Sequence, residues 1–208
     1  MNKLRLEALS DGVFAIAMTI LVFDIHVPVV GDGNYSILGL WSALLTLLPN
    51  IASYVVSFTV LAMYWTSHHA MFHFFAKSVD RVLVQINMIY LMFLVFIPFT
   101  TALLGKYHTN ILVVWIYGCN IVFLGLTAYG MFMYALHSKE IETHDVSHRT
   151  ITQAKIRVLL TPSFAILAML VGLISEPLAF FFFLFPVIFN LVPGSLNAVE
   201  RFFGITVR

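Results

Sequence analysis

Long runs of apolar residues, broken by short polar segments, follow one another from end to end of the chain. Residues 33–76, 82–105 and 107–138 form stretches of 44, 24 and 32 residues without Asp, Glu, Lys or Arg. A helix needs about 20 apolar residues to cross a bilayer. Backbone groups inside lipid have no water to bond, so each crossing segment is expected to be helical. The pattern therefore predicts an all-α, polytopic membrane protein.

Six transmembrane helices are predicted, over residues 6–27, 40–75, 82–104, 111–136, 156–174 and 178–192. The second is longer than one crossing requires, and Pro49 inside it indicates a kink that follows an interfacial or tilted prelude, residues 36–48. The polar loop 138–155 is expected to extend the fourth and fifth helices. No soluble domain fits between the spans, so residues 1–208 are predicted to form a single transmembrane domain.

Composition narrows the class of protein further. The chain is 61% hydrophobic and 10% charged, whereas soluble chains are about one quarter charged. This excludes a nucleic-acid-binding module, a secreted disulfide scaffold and a soluble enzyme. Cys119 is the one cysteine, so no intrachain disulfide is possible. Glycine-rich nucleotide motifs and a nucleophile elbow are missing from the sequence, and no cofactor or resident metal is expected.

The basic residues lie almost entirely on one side of this topology. With six spans both termini share a side, and ten of the eleven basic residues fall there: Lys3, Arg5, Lys77, Arg81, Lys139, Arg149, Lys155, Arg157, Arg201 and Arg208. Lys106 alone lies opposite, with the acidic residues Asp24, Asp32 and Glu176. The positive-inside rule therefore predicts a multi-pass protein of the cell membrane with cytoplasmic N- and C-termini.

The first helix differs from an ordinary membrane helix because acidic residues flank a very short apolar centre. Only 12 residues separate Asp11 from Asp24. At 100° per residue one apolar stripe forms, with Thr19 at its edge and Asp11 on the far side; its members are Leu9, Gly12, Ile16, Ile20, Phe23 and Val27. Such a stripe packs against lipid or neighbouring helices in an average membrane protein, but ionisable residues inside a membrane favour a functional role.

The end of the second helix concentrates polar and aromatic side chains. His69 and His73 are four residues apart and share a helix face, a spacing that can bind a metal or haem. The sequence lacks the Glu of a His-Glu-x-x-His zinc-protease motif. We favour the alternative in which Trp65 with His68 or His69 satisfies the carboxylate of Asp11 at the same membrane level. Asn residues within the apolar helices, Asn87, Asn120 and Asn190, are expected to join helices by hydrogen bonds.

These residues carry a resemblance to a known family. Arg5-x-x-x-Leu9-Ser10-Asp11 at the start of helix one is similar to the Arg-x-x-x-Phe-Ser-Asp signature of the transmembrane protein 175 potassium channel family, with Leu9 where that family usually has Phe. The second and third helices also resemble the family, in Tyr64-Trp65 with His68-His69 and in Asn87 followed by Phe96-Ile97-Pro98-Phe99-Thr100. Six spans match its single-repeat prokaryotic branch.

The resemblance implies a homotetramer in which four copies of helix one line a potassium-preferring pore. Ile16 is implied as the main hydrophobic constriction, Thr19 as a hydroxyl ring linked to selectivity, and Ile20 and Phe23 as further apolar layers. Such a pore replaces the carbonyl selectivity filter of familiar potassium channels, whose Thr-Val-Gly-Tyr-Gly motif this chain lacks. Monovalent cations and lipid are then its partners, and Asp24 and Asp32 form an acidic outer mouth. The structural anchor of the helix is expected to comprise Arg5, Ser10, Asp11, Trp65, His68 and His69.

Two other functions remain open on the sequence. A cation- or proton-coupled secondary transporter would use Asp11 with His68 or His69 as a relay, although no inverted repeat of the kind common in transporters is visible. A haem-bearing membrane oxidoreductase would use His68, His69 or His73 as axial ligands. The apolar stripe and the family resemblance together favour a channel, and no enzymatic activity is expected.

Overall fold

The computed structural model describes residues 2–29, 36–142 and 147–191 of the 208-residue chain. Within these ranges the protein is helical and contains no β-strand. A 3-10 turn, Leu21–Asp24, continues the first helix, and a π-helical turn, Met71–Phe75, continues the third. The α-helices are α1 (Lys3–Ile20), α2 (Ile37–Leu45), α3 (Leu48–Ala70), α4 (Arg81–Val95), α5 (Ile97–Lys106), α6 (Ile111–His137), α7 (His148–Gly172) and α8 (Glu176–Leu191).

Short polar residues define where several helices begin. Side chains of Asn2, Ser36, Asp80, Asn110 and Ser147 each accept a hydrogen bond from a backbone N–H in the first turn of the helix that follows. The first four N–H groups of a helix have no partner within it, so these caps supply bonds that the helix itself lacks. The polar residues before these five helices therefore fix where each of them begins.

Five segments are long and apolar enough to cross a membrane: Lys3–Asp24, Leu48–Phe75, Arg81–Lys106, Ile111–His137 and His148–Gly172. They coincide with the first five predicted spans and confirm a polytopic, all-α membrane protein. The sixth predicted span coincides with α8, which has 16 residues and is shorter than the roughly 20 residues of an ordinary crossing. A sixth crossing therefore stays a prediction.

Proline positions divide two of the predicted spans. The second span is two helices, α2 and α3, and Pro49 lies in the first turn of α3 rather than at a kink inside one helix. The third span is divided in the same way at Phe96, with Pro98 in the first turn of α5. Proline is tolerated where its missing N–H would have no partner, so in both places it begins a helix. The predicted prelude, residues 36–48, corresponds to α2, and the kink predicted at Pro49 is a break between two helices. The break at Phe96 in the third span was not predicted.

The polar loop after α6 also differs from expectation. It extends the fifth span, because α7 begins at His148, but it does not extend the fourth, because α6 ends at His137. The segment after α6 instead pairs with the α3–α4 connection: Lys77 N donates to Glu142 O at 2.7 Å, and Glu142 N donates to Ser78 Oγ at 3.0 Å.

Two groups of helices pack against each other. Helix α1 lies against α3, α4 and α5, whereas α7 lies between α6 and α8. Fully buried rings, Phe14, Tyr64, Tyr90 and Tyr117, fill the interior. Tyr117 contributes to a buried polar contact, since its hydroxyl lies 3.0 Å from Ser57 Oγ. The packing leaves one side of α1 uncovered.

Close approach between α6 and α7 depends on glycine. A Cβ atom placed on Gly125 would lie 2.7 Å from Cγ of Pro162, and one placed on Gly118 would lie 2.5 Å from Cγ of Met169. Small residues allow helix backbones to approach closely in membranes, where dispersion replaces the hydrophobic driving force. Gly130, on the same helix, meets nothing within 4 Å.

Candidate pore helix and its polar anchor

One face of α1 is fixed inside the protein. Five residues spaced three or four apart lie on this face, and none is more than 2% exposed: Leu6, Ser10, Phe14, Ala17 and Leu21. That spacing defines a single helix face. Packing of this face against α3 and α4 sets the rotation of α1 about its own axis.

The opposite face of α1 carries the four residues predicted to line a pore. Ile16 is 60% exposed, Ile20 44% and Phe23 73%, and Thr19 is exposed beside them. Gly12 continues this face one turn earlier, with nothing within 4 Å of the position of a Cβ atom. Lipid, a neighbouring subunit or a pore could each cover exposed apolar residues in a membrane protein, so the pore-lining role of these four stays a prediction.

Thr19 is the one hydroxyl among the predicted pore residues. Its Oγ1 lies 2.9 Å from Ala15 O and 2.9 Å from Ile16 O, and donates to these carbonyls of the preceding turn. Bonding of this type satisfies a Thr side chain in a helix without another helix. Among the described residues, the hydroxyl of Thr19 therefore bonds within its own helix α1 and not to another helix.

A buried chain of hydrogen bonds joins α1 to α3 and α4. Ser10 Oγ donates to Leu6 O at 2.9 Å, which leaves its oxygen to accept from Asn87 Nδ2 at 3.1 Å. Asn87 Oδ1 lies 2.9 Å from His68 Nε2. Because Asn87 Oδ1 is an acceptor, Nε2 of His68 must carry the proton. Ser10 and Asn87 are fully buried and His68 is 4% exposed, so every bond of this network lies away from water.

Aromatic rings enclose the histidine of this network. The ring of His68 stacks on Tyr90 with centroids 5.6 Å apart and planes 10° apart, and it meets the edge of Phe14 at 5.8 Å. Phe14 belongs to the buried face of α1. The imidazole of His68 therefore makes a polar contact with α4, through Asn87, and apolar contacts with α1 and α4.

Asp11 is held separately from the buried network. Its Oδ1 accepts a hydrogen bond from Trp65 Nε1 at 2.9 Å, and both residues are exposed in the single chain. The carboxylate was expected to be buried and to be bonded by Trp65 together with His68 or His69. The described structure instead gives it one indole donor, while His68 turns to Asn87 and His69 stacks on the Trp65 ring at 6.0 Å.

Other predicted residues lie outside these contacts. Arg5 is exposed, and its side chain makes no hydrogen bond or ion pair with any residue that the structure describes. Asp24 is half-buried at the end of the 3-10 turn, where its backbone carbonyl lies 3.1 Å from Nδ1 of His26. Asp32 lies outside the described residues. The acidic outer mouth therefore stays a prediction, as does the inclusion of Arg5 in the anchor.

Asn87 is the residue of this site whose importance the sequence prediction understated. It was expected only to join helices, yet it lies between Ser10 and His68 and holds both. An Asn inside an apolar run of 24 uncharged residues was the available signal. Spacing alone did not identify its partners, because they come from two other helices.

The sequence is similar to known proteins over about half of its length. Residues 5–98 match the sequence profile of the family described as Endosomal/lysosomal potassium channel TMEM175. The chain is 48% identical over 103 residues to a potassium channel of Streptomyces collinus, covering 50% of this chain and 48% of that relative. It is 33% identical over 113 residues to the endosomal/lysosomal proton channel TMEM175 of Gallus gallus, covering 51% and 22%.

The fold is similar over a longer part of the chain. It superimposes with a TM-score of 0.76 and 27% identity on the crystal structure of a lysosomal potassium-selective channel TMEM175 homolog from Chamaesiphon minutus, covering 90% of this chain and 95% of that one. The sequence match spans about half the length of the bacterial relative from Streptomyces.

The helical membrane fold and an anchored first helix with one open face define the class as polytopic α-helical membrane proteins. The matching family is one of ion channels and not of enzymes. By its sequence over residues 5–98 and by its fold over most of its length, the chain is similar to proteins of the TMEM175 family. The predicted resemblance is thereby confirmed.

Proposed function

We propose that the protein is a potassium-preferring cation channel whose pore is lined by α1 from four copies of the chain. The observation that carries the proposal is the contrast between the two faces of α1. One face is fixed by the Ser10–Asn87–His68 network. The other face presents Thr19, together with Ile16 and further apolar residues, to the outside of the single chain. The names of the bacterial relatives support potassium as the permeating ion.

In the proposed pore each exposed side chain becomes a ring of four. With a rise of about 1.5 Å per residue in α1, the Ile16 and Ile20 rings lie about 6 Å apart. Phe23 lies about 12 Å from Ile16, because the 3-10 turn rises about 2.0 Å per residue. Thr19 supplies a hydroxyl layer between the two isoleucine rings. A hydrated cation therefore meets a short apolar passage with one polar level inside it.

The barrier to permeation follows from this lining. A narrow apolar constriction excludes water, and an ion that enters must give up part of its hydration. Potassium holds its water less strongly than sodium, so dehydration by Ile16 and contact with Thr19 favour potassium. A side-chain pore of this type discriminates less sharply than a cage of fixed carbonyl groups, and we expect modest selectivity.

Orientation and location form part of the proposal. The bias of Lys and Arg to the side of the termini supports cytoplasmic N- and C-termini in the cell membrane. Asp24 then lies near the outer end of α1, and acidic side chains there concentrate cations at the entrance. Residues 1–208 act as one transmembrane domain, with lipid around the tetramer.

The transporter alternative has weaker support. It requires Asp11 and His68 or His69 to exchange a proton or a cation. In the structure Asp11 bonds to Trp65, whose indole N–H is only a donor, and His68 bonds to Asn87. No hydrogen bond joins the carboxylate to either imidazole among the described residues. The family match also favours a channel.

Flux measurements in reconstituted liposomes test the channel proposal. We expect Ile16→Asn to raise cation flux and to weaken the preference for potassium over sodium, because Asn replaces lost water contacts at the constriction. Thr19→Val should reduce the preference while the apolar barrier remains. Flux must be normalised to the amount of assembled protein in the membrane.

Ile166→Asn is the matched control, since Ile166 is 45% exposed on α7 rather than on α1. The same substitution there should leave flux and selectivity unchanged. If Ile16→Asn behaves as Ile166→Asn does, the exposed face of α1 contacts lipid or another subunit, and the proposed pore is wrong.

A further inference from the structure

Three aromatic rings form a ladder along the C-terminal end of α3. Trp65 and His69 stack with centroids 6.0 Å apart and planes 23° apart, and His69 and His73 stack at 5.8 Å and 13°. His69 and His73, called the histidine pair below, are both exposed. The buried histidine beside them, His68, is already committed to Asn87.

The histidine pair has unused bonding capacity. Neither imidazole makes a hydrogen bond to another residue within the described parts of the chain. Exposed His137 differs, because its Nδ1 lies 2.9 Å from Met133 O of its own helix. A neutral imidazole nitrogen that has no other partner is the commonest protein ligand for transition metals.

The separation of the two rings suits one shared ion. A metal–nitrogen distance of about 2.1 Å places each ring centroid roughly 3.2 Å from the metal, so two rings that ligate one ion have centroids about 5 to 6.5 Å apart. The observed separation of 5.8 Å lies in this range. Because both rings are exposed, rotation about χ2 is free to turn one nitrogen of each towards the ion.

We propose that His69 and His73 form a binding site for a divalent transition-metal ion of the Zn²⁺, Ni²⁺ or Cu²⁺ class. On the sequence alone the spacing of the pair allowed a metal or haem, but no resident metal was expected. No group of three or more metal-binding side chains occurs within the described residues. The pair therefore supplies two ligands and water completes the coordination, which makes the bound ion exchangeable rather than a permanent part of the fold.

The location of the site connects it to α1. His73 lies in the π-helical turn Met71–Phe75, and His69 lies in the last turn of α3, so a shared ion would fix the geometry between the two. Within that turn Phe72 O accepts a hydrogen bond from Lys3 Nζ at 2.7 Å. Trp65, at the other end of the ladder, holds Asp11. A metal ion here stabilises a segment that contacts α1 at two points.

Titration of the purified full-length protein with Zn²⁺ tests the site, with any polyhistidine tag removed. We expect one ion per chain. His69→Gln and His73→Gln should each weaken binding by more than about tenfold, since even loss of a group outside the ligand shell costs on the order of 10- to 100-fold. The matched control, His137→Gln, removes an exposed histidine from a helix end and should bind as the wild type does. All four proteins should have the same melting temperature without metal.

A second measurement counts the nitrogen ligands of the bound ion directly. The electron paramagnetic resonance spectrum of bound Cu²⁺ should show two equatorial nitrogen ligands in the wild type and one in His73→Gln. A spectrum with one nitrogen in the wild type would overturn the proposal. Equal Zn²⁺ affinity in His69→Gln, His73→Gln and His137→Gln would overturn it as well.

Discussion

The buried bond between Asn87 and His68 gives the sharpest test of how α1 is anchored. Replacing Asn87 by Leu keeps a side chain of similar size but removes the acceptor of His68 Nε2 and the donor to Ser10 Oγ. A buried donor left without a partner costs about 1–3 kcal/mol. Side-chain hydrogen bonds between membrane helices average only about 0.6 kcal/mol. Because the imidazole N–H stays buried among Phe14 and Tyr90, we expect the cost of Asn87→Leu to exceed about 1 kcal/mol.

A double-mutant cycle separates this cost from general damage to packing. His68→Phe keeps an aromatic ring against Tyr90 while it removes the N–H group that needs Asn87. Once the donor is absent, Asn87→Leu should cost less, because replacing both partners by apolar groups avoids the penalty of an unpaired donor. We expect a coupling free energy of about 1 kcal/mol between the two positions, within the range of contacting residues.

The assay is reversible unfolding in mixed micelles, followed by the fluorescence of the tryptophans. His69→Phe combined with Asn87→Leu is the control, since His69 lies on the exposed side of α3 and does not bond Asn87. That pair should be additive. Additive free energies for His68→Phe with Asn87→Leu, to within about 0.5 kcal/mol, would show that the network does not hold the helices together.

Two further predictions concern the same unfolding free energy. Gly125→Ala should destabilise the protein, because the new methyl would lie 2.7 Å from the rigid ring of Pro162. Gly130→Ala has open space and should stabilise its helix by about 0.5–1 kcal/mol. Equal effects at both positions would contradict the close approach of α6 and α7. Asp11→Asn retains an oxygen acceptor for Trp65 Nε1 and should cost less than about 1 kcal/mol. A larger loss would mean that the charge of Asp11 binds another group in the assembled protein.

Periodicity predicted the exposed face of α1 well because this helix has two faces that differ in chemistry. The apolar stripe containing Ile16, Ile20 and Phe23 was predicted from 100° spacing, and the structure leaves these residues exposed together. The prediction did not need partners, since a helix face is a local property of the sequence. The motif around Ser10 and Asp11 indicated the resemblance to the TMEM175 family, because a short motif is also a local property of the sequence.

Partners within the anchor were harder to predict because they depend on three helices at once. Trp65 was expected near Asp11, and the structure places them in contact. The distribution of the histidines was not foreseen: His68 faces inward to Asn87, while His69, one residue later, faces outward. Consecutive residues of a helix point in directions about 100° apart, so His68 can be buried while His69 is exposed. The sequence does not show which face of α3 is covered by α4.

Helix boundaries showed a second limit of pattern analysis. Pro49 and Pro98 lie inside continuous apolar runs, so hydropathy joined the helices on either side of each break. Proline occurs both at kinks inside helices and in the first turn of a new helix. The residues directly before each proline are apolar and offer no capping side chain, so the sequence contained no signal that a new helix begins there.

The hydroxyl of Thr19 has a consequence for the sign of the ions that pass it. Its hydrogen is engaged by the carbonyl groups of Ala15 and Ile16, so the oxygen can present only lone pairs to whatever lies beyond the helix. In the proposed pore four such oxygens would turn the negative ends of their dipoles inward. Chloride would find no donor at this level, and cations would find acceptors. Rejection of anions would then come from the direction of a hydrogen bond rather than from a formal charge, and it would persist at salt concentrations that screen Asp24.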